Sequence, residues 1–300
     1  HCVFDAVRGA TEVLHADANT AEVTDADSLT SFDSDGFALG ADVKVNTNTE
    51  AYVAWCWKAN GAGSSNTAGS INTTATSANT TAGFSISTYT GTGQSGATIG
   101  HGLGAVPHLI ICKKRGATGN WATYHHKNTS APATDYLWLD TTAATADDAG
   151  YWNDTDPTSV LFTVGDNSRT NGIATMVAYA WAGVQGFSKF GSYTGNGNAD
   201  GTFVYTGFKP AFVMIKKSSA VDSWAMFDNK RLGYNNYNYR LRAETSAVEY
   251  ASTTMIDILS NGFKVRTSDG ELNTSAGTYI YMAFAESPFC TSSGVPNNAR

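Results

Sequence analysis

The feature that most constrains this chain is an internal repeat with a fixed interval. Three pairs of landmarks lie 103 residues apart: Lys113 and Lys216, Trp121 and Trp224, and Trp181 and Phe284. Landmarks held at one spacing over a hundred residues are typical of tandem copies of one structural unit. We therefore assign residues 83–185 (the second module) and 186–289 (the third module) to two copies of the same module.

The first 58 residues (the first segment) match the back part of that module. Val3–Arg8 resembles Met226–Arg231, and Tyr52–Trp55 resembles Tyr281–Phe284, a predicted strand. The counterpart of residues 186–223 is absent from this segment. Half a module cannot close its own core, and an uncovered apolar face or strand edge is costly in water. We therefore expect the segment to be completed by polypeptide outside this sequence, either upstream sequence or a strand donated by a neighbouring subunit.

Two further stretches lie between or after these units. Residues 59–82 are rich in Gly, Ser, Thr and Asn and have almost no large apolar residue, which is typical of an exposed linker. Residues 290–300 form a C-terminal tail. In contrast, Trp181–Gly186 leaves almost no slack between the two complete modules, so we expect these modules to be closely coupled.

Composition and patterning favour an all-β chain. Only 15% of the residues are charged, whereas about 25% is usual in soluble domains, where charged residues cover helix surfaces. Phe212–Ile215 and Thr278–Phe284 are short runs rich in branched and aromatic residues, which predicts strands. About seven such strands fit into a module of roughly 100 residues. The sequence therefore predicts tandem antiparallel β-sandwich modules.

Charge and cysteine content exclude several classes of function. The formal net charge is −7 and no run of Lys and Arg could follow a phosphate backbone, so we expect no nucleic-acid partner. No apolar run approaches the roughly 18 residues that span a bilayer, so we expect no membrane insertion. The four cysteines are too few and too scattered for a disulfide scaffold or a zinc site.

The sequence contains no motif for catalysis, a metal or a cofactor. A nucleophile elbow, a phosphate-binding loop and a zinc-protease helix are all absent. The histidines of the second module have no histidine counterparts in the third; they are His101, His108, His125 and His126. Asp33–Gly36 looks like the start of a calcium loop but lacks the downstream glutamate. We therefore predict a chain that is not an enzyme and that holds no metal or cofactor.

Two recurring features are better explained by structure than by chemistry. The pairs Asp5 with Arg8 and Asp228 with Arg231 suit a charge-assisted turn after a strand. A glycosidase would need a second carboxylate facing a cleft, and none can be named. Trp121 and Trp224 recur in both modules, which favours core packing over ligand stacking.

One aromatic stretch is polar, resembles a loop and is absent from the second module. Its members are Tyr234, Asn235, Asn236, Tyr237, Asn238 and Tyr239. Aromatic rings can stack on the C–H faces of sugars, while asparagines supply hydrogen bonds, and variable loops often carry function. We therefore predict that this stretch contacts glycans.

Several motifs resemble a known family. Gly83–Lys113 with Trp121–His125, and Tyr279–Phe289, resemble repeats in virion and tail-fibre-like proteins of phages that infect marine bacteria and cyanobacteria. The resemblance covers nearly the whole chain. It implies concanavalin- or laminin-G-like sandwiches on a phage particle, outside the host cell, and implies no particular biochemical activity.

This resemblance and the composition lead to three functional hypotheses. The first is a virion-surface structural and adhesive protein, a tail-fibre or fibre-like component that contacts host-surface glycans. The second is a capsid-decorating or filament-forming protein without a receptor role, and the third is a glycan depolymerase. The expected partners are other copies of the chain, as a trimer by analogy with phage fibres, together with other virion proteins.

Overall fold

The structure, a computed structural model, describes residues 1–231, 235, 239–251 and 254–286. Within these ranges the chain consists of antiparallel strands joined by turns, which confirms the all-β prediction. Four α-helices are each a single turn of four residues: α1 (Val43–Asn46), α2 (Ala149–Trp152), α3 (Ser168–Asn171) and α4 (Gly270–Asn273). A 3₁₀ turn spans Pro132–Thr134. Each α-helix begins at an Asp or Asn whose side chain accepts a backbone N–H, the usual N-cap arrangement.

The strands follow one another closely along the chain. In the first segment they are β1 (Cys2–Asp5), β2 (Gly9–His15), β3 (Val23–Thr24), β4 (Leu29–Phe32) and β5 (Phe37–Leu39). Before and within the second module they are β6 (Ala75–Asn79), β7 (Phe84–Thr90), β8 (Ala97–Gly100), β9 (Leu109–Lys114), β10 (Ala122–His125), β11 (Asp135–Trp138), β12 (Ala146–Asp147), β13 (Leu161–Val164) and β14 (Thr175–Trp181). In the third module they are β15 (Ser188–Thr194), β16 (Phe203–Tyr205), β17 (Pro210–Lys217), β18 (Trp224–Asp228), β19 (Tyr239–Arg242), β20 (Tyr250–Ala251), β21 (Ile256–Leu259), β22 (Gly262–Val265) and β23 (Thr278–Ala285).

Two large sheets dominate the fold and share one strand order. The first is seven-stranded, in the order β12-β11-β10-β9-β14-β7-β6, and the second is six-stranded, in the order β20-β19-β18-β17-β23-β15. The first six strands of the seven-stranded sheet, in the order given, therefore match the six strands of the second sheet in chain order. The interval is not uniform: Trp181 pairs with Phe84, whereas Phe284 pairs with Ser188. The edge strand β15 is thus shifted by one residue from the interval of 103.

The large sheets pack on one another through a shared apolar core. Along β14, Tyr179 and Trp181 face this central core, while Met176 and Ala178 face a second core on the opposite side of the sheet. The central core also receives inward residues of the six-stranded sheet, among them Phe284. Alternation of this kind follows from the two-residue period of a strand.

Each large sheet is covered on its outer face by a smaller one. The paired strands β8 and β13 cover the seven-stranded sheet through Ile99 and Phe162. The three-stranded sheet β16-β22-β21 covers the six-stranded sheet through Val204 and Phe263. The chain is therefore a β-sandwich-like stack of four layers. The sheet of β1, β2 and β3 lies at the side of the central core and contributes Leu14 to it.

The segment expected to form the last strand of the first segment is not a strand. Residues 51–60 have no regular secondary structure. Trp57 packs edge-on against Trp181 and Phe284, with ring centroids 6.2 and 5.6 Å apart, and Trp55 packs against Phe212 at 5.1 Å. The strand prediction was wrong because these indoles bury their faces in a core supplied by both modules of the same chain, and a sheet partner is not needed for that.

The linker predicted over residues 59–82 is wrong in its second half. Ala75–Asn79 form β6, which pairs with β7, and Ile71, Thr73 and Ser77 are buried. Small hydroxyl side chains fit between the layers because they bond one another, as Thr76 Oγ1 does with Ser87 Oγ at 3.0 Å. Hydropathy does not detect burial of this kind.

No helix in the described ranges has the length and apolar character needed to cross a bilayer. Cys2, Cys56 and Cys112 are free thiols, and Cys112 lies buried among apolar neighbours in β9. Cys290 and the predicted tail over 290–300 lie outside the described residues.

Candidate functional site

The structure describes only two residues of the predicted glycan-contacting stretch. Tyr234, Asn236, Tyr237 and Asn238 lie outside the described residues. Asn235 is exposed and has a left-handed backbone with φ of 65°, and its side-chain nitrogen donates to the carbonyl oxygen of Ile258 at 2.8 Å. Tyr239 is half-buried at the start of β19. Glycan contact by this stretch stays a prediction.

The paired Asp and Arg residues form charge-assisted turns, as predicted. In the first segment, Asp5 Oδ1 accepts the backbone N–H groups of Val7 and Arg8, and Asp5 Oδ2 accepts Arg8 Nε. In the third module, Asp228 accepts from Arg231 in the same way, at 2.9 Å from its backbone nitrogen and 2.7 Å from its Nε. Both turns follow the strand that begins the hairpin, so the motif fixes the loop after a strand.

The first of these turns continues into a buried ionic network. Arg8 Nη1 donates to Glu22 Oε2 at 2.7 Å, and Arg115 Nη2 of the second module donates to Glu22 Oε1 at 2.6 Å. Burial alone would raise the pKa of Glu22, but hydrogen bonds from Arg115 and Arg8 outweigh it and hold that pKa below its usual value. Tyr179 donates its hydroxyl to Asp5 Oδ2 at 2.7 Å. The network therefore ties the first segment to the second module.

The second module has a histidine where the other turns have an aspartate. His125 Nδ1 accepts the backbone N–H of Lys127 at 3.1 Å, and its Nε2 donates to the carbonyl oxygen of Tyr281 at 3.1 Å. This pattern requires the neutral imidazole, since Nδ1 must remain an acceptor. Burial lowers the pKa of His125 to about 3, with a smaller contribution from the neighbouring His126.

Two more histidines join this junction between the modules. His126 donates to the carbonyl oxygen of Phe190 at 3.1 Å and stacks on His108, with ring centroids 4.1 Å apart. Gly183 donates its backbone N–H to His108 Nδ1 at 3.0 Å. Burial lowers the pKa of His126 to about 4, and proximity to His108 contributes. We refer to His108, His125 and His126 as the histidine junction.

A second kind of junction recurs twice, each time built on a buried tryptophan. Trp121 Nε1 donates to the carbonyl oxygen of His15 at 2.9 Å, and Trp224 Nε1 donates to that of Trp138 at 2.9 Å. Both indoles are 2% exposed, which confirms the prediction of core packing. In each case the acceptor belongs to the preceding unit of the chain.

A fully buried lysine accompanies each tryptophan. Lys113 Nζ donates to the carbonyl oxygen of Asn19 at 3.0 Å, and Lys216 Nζ donates to that of Thr142 at 3.1 Å. Each ammonium also donates to a carbonyl of its own module at 2.6 Å. Burial lowers the pKa of both lysines to about 8.

Backbone hydrogen bonds complete the match between the two junctions. Four of them form two equivalent sets: Gly119 N to Asn19 O at 2.8 Å and Glu22 N to Arg115 O at 2.9 Å, then Asp222 N to Thr142 O at 2.9 Å and Thr145 N to Ser218 O at 3.0 Å. The first segment thus contacts the second module as the second module contacts the third. We call these two equivalent sets of bonds the capping junctions.

The histidine and lysine side chains at these junctions form hydrogen bonds that join the units. His101 shows the same pattern away from them, since its Nδ1 accepts from Leu103 and its Nε2 donates to Thr158. Over the part of the chain that the structure describes, no group of three or more His, Cys, Asp or Glu side chains lies close enough to hold a metal ion. The arrangement suits rigid joining of modules.

Sequence reasoning identified Lys113 and Lys216 as landmarks of the repeat but missed that they act with the tryptophans at the capping junctions. In both modules a lysine inside an apolar strand precedes the tryptophan by eight residues, as Lys113 precedes Trp121. A lysine within an apolar run that recurs with a tryptophan is a usable signal, because a buried ammonium must find carbonyl acceptors. The acceptors themselves are backbone atoms and leave no trace in the sequence.

Comparison with known proteins gives one positive result. No curated protein and no solved structure matches the chain. Residues 1–288 match a family whose description is a domain of unknown function (DUF7483). Because the match covers nearly the whole length, the chain belongs to this family.

Proposed function

We propose that this chain is a structural and adhesive protein of a virion surface, a tail-fibre or fibre-like component that contacts host-surface glycans. The observation that carries the proposal is the recurrence of the capping junction. A tryptophan, a lysine and two backbone bonds join the first segment to the second module and the second module to the third. A unit that joins its neighbours by one repeated set of bonds suits a load-bearing surface protein.

The resemblance of the module motifs to phage virion and tail-fibre-like repeats supports the location. Within this proposal each module is a concanavalin- or laminin-G-like sandwich, and three chains assemble side by side. The pairing of a large sheet with a small one across its own apolar core, around Phe162 in the second module and Phe263 in the third, is compatible with that assignment.

Two measurements test the proposal. Gold-labelled antibody against the purified chain should decorate the tail region of intact particles in negative-stain images, and labelling confined to the capsid would support the decorating role instead. Light scattering on the purified protein should give a mass near three times 31.7 kDa. A stable monomer over a wide concentration range would count against the fibre assembly.

A further inference from the structure

A shallow groove of about 360 Å³ opens in the third module beside the edge strand β15. Phe203 and Tyr205 of β16 line it, with side chains 45% and 59% exposed. The buried ring of Tyr281 and the side chains of Lys127 and Lys189 also line it. None of the described residues that line it carries a carboxylate, so the described lining is aromatic and cationic in a chain of net charge −7.

The hydroxyl of Tyr281 is an uncommitted donor in this groove. It forms no hydrogen bond with any residue of the described ranges, and the residue as a whole is only 4% exposed. A Cβ at Gly191 would lie 2.6 Å from this hydroxyl, so the glycine leaves room for it. Burial raises the pKa of Tyr281 to about 12, and the hydroxyl therefore keeps its proton at neutral pH. A hydroxyl that lines a groove and has no protein partner can donate to a bound ligand.

The two lysines differ in how they are held. Lys189 Nζ donates to the carbonyl oxygen of Tyr205 at 2.8 Å and lies 5.1 Å from the centroid of that ring. This contact orients Tyr205 through a cation–π interaction. Lys127 is exposed, and its ammonium has no ion-pair partner in the ranges that the structure describes. The groove therefore offers one fixed and one free positive charge.

At the matching place in the second module, the chain itself contacts the residue that corresponds to Phe203. Ile99 and Val204 face the equivalent cores and pair with Phe162 and Phe263, which makes Thr98 the counterpart of Phe203. Thr98 is half-buried, and its Oγ1 accepts the backbone N–H of Ser70 at 2.9 Å.

The open edge of β15 is a poor site for an added strand. In the second module, β6 pairs with the matching strand β7 over five residues, from Ala75 to Asn79. In the third module, His126 Nε2 donates to the carbonyl oxygen of Phe190, and Thr202 Oγ1 donates to the carbonyl oxygen of Thr194 at 2.8 Å. The stretch between these two contacts is too short for strand pairing of the β6 kind, which favours a compact ligand.

We propose that this groove binds a sugar ring that carries an acidic group, as one unit of a host-surface polysaccharide. The apolar face of the ring stacks on Phe203 and Tyr205, the acidic group lies against Lys127 and Lys189, and a sugar oxygen accepts the hydroxyl of Tyr281. A volume of about 360 Å³ falls within the range of small-ligand sites. This inference rests on the adhesive role proposed above and adds the site and the sugar class.

An NMR titration of the purified full chain tests the site. The probes are galacturonic acid, galactose 6-sulfate and neutral galactose, followed through ¹³C-labelled tyrosine rings. We expect at least one acidic sugar to shift the signals of Tyr205 and Tyr281, with an affinity at least about tenfold above that of galactose. Equal binding of galactose, or no binding of any sugar, would overturn the proposal.

Substitutions separate binding from folding. Tyr281→Phe removes a hydroxyl without a protein partner, so it should leave the urea unfolding midpoint unchanged. It should weaken binding of the acidic sugar by about fivefold. Lys127→Ala should weaken binding of the acidic sugars only, and by a similar factor. The control is Lys58→Ala, which changes an exposed lysine that does not line the groove and should not affect sugar binding. Equal losses for both lysine variants would refute the site.

A titration with a peptide tests whether the groove binds a sugar or an added β-strand. A synthetic peptide of residues 69–80 carries the segment that covers the second module, and it is added at the same concentrations. Shifts of Tyr205 and Tyr281 by the peptide and not by the acidic sugars would show a strand-accepting edge and overturn the proposal. None of these results depends on particle labelling, so failure of the groove and failure of the virion role are separate outcomes.

Discussion

Acid should weaken this fold through the histidine junction before it protonates the carboxylates. Unfolded histidine has a pKa of about 6.5, whereas burial in the folded chain lowers the pKa to about 3 for His125 and to about 4 for His126. The folded state therefore binds fewer protons than the unfolded state below pH 6.5. Stability from these groups is fully present above that pH and is lost as the pH falls toward the folded values.

The expected loss is a large share of the total stability. Each pH unit below 6.5 costs about 1.4 kcal/mol per histidine, so pH 5.0 costs about 2 kcal/mol for each and about 4 kcal/mol for the pair. Domains of ordinary stability unfold with about 5 to 15 kcal/mol. The neighbouring groups are His108 and Lys127, which oppose protonation. No acidic group contributes to either lowered pKa.

Urea unfolding followed by tryptophan fluorescence measures this effect. The wild type should lose at least about 4 kcal/mol of unfolding free energy between pH 7.5 and pH 5.0. The double variant His125→Asn with His126→Asn starts from a lower stability, but its loss over the same range should be smaller by about that amount. Equal losses in the two proteins would refute the assignment of the acid sensitivity to this junction.

Three further measurements follow from the described contacts. Arg8→Lys should destabilise the chain by about 3 kcal/mol, since Arg8 is buried between two carboxylates. Arg231→Lys should cost about 1 kcal/mol, because Glu249, the second partner of Arg231, is partly exposed. The urea unfolding midpoints of the two variants measure this difference. In native labelling with iodoacetamide and peptide mass mapping, Cys56 should react and Cys112 should not, because burial raises the pKa of Cys112 to about 12 and the thiol is inaccessible. The melting temperature should rise between pH 8 and pH 9.5, because the capping lysines have folded pKa values of about 8 and lose their buried charge before unfolded lysine does; a flat profile would contradict that pKa assignment.

The strands that could be predicted are short apolar runs of branched and aromatic residues. Phe212–Ile215 lies within β17, and Thr278–Phe284 lies within β23. These segments carry branched and aromatic residues that pack against a neighbouring layer, so their pattern records their burial. Local similarity between Val3–Arg8 and Met226–Arg231 also located the two Asp–Arg turns, because their side chains bond within three residues of each other.

The features that could not be predicted depend on contacts between units. Tyr52–Trp57 has the composition of a strand, yet Trp57 takes its partners from both modules and needs no sheet. β6 has the composition of a linker, yet its small residues fit between layers. The groove beside β15 combines Lys127 of one module with Tyr205 of the next. No local pattern brings those residues together, since their proximity follows from how the two large sheets pack.

The identity of the residue at the recurring turn follows from what the neighbouring strand presents to it. Asp5 faces the hydroxyl of Tyr179, a donor, and a carboxylate accepts it. His125 occupies the same place in the second module and faces the carbonyl oxygen of Tyr281, which can only accept. A carboxylate there would bring two acceptors together in a buried site, whereas a neutral imidazole supplies the donor and still accepts the turn N–H. The position three residues later changes with it, from Arg8 to the neutral Asn128, since no buried carboxylate remains to be neutralised. The repeat therefore preserves the geometry of the turn while its charge adapts to the junction on each side.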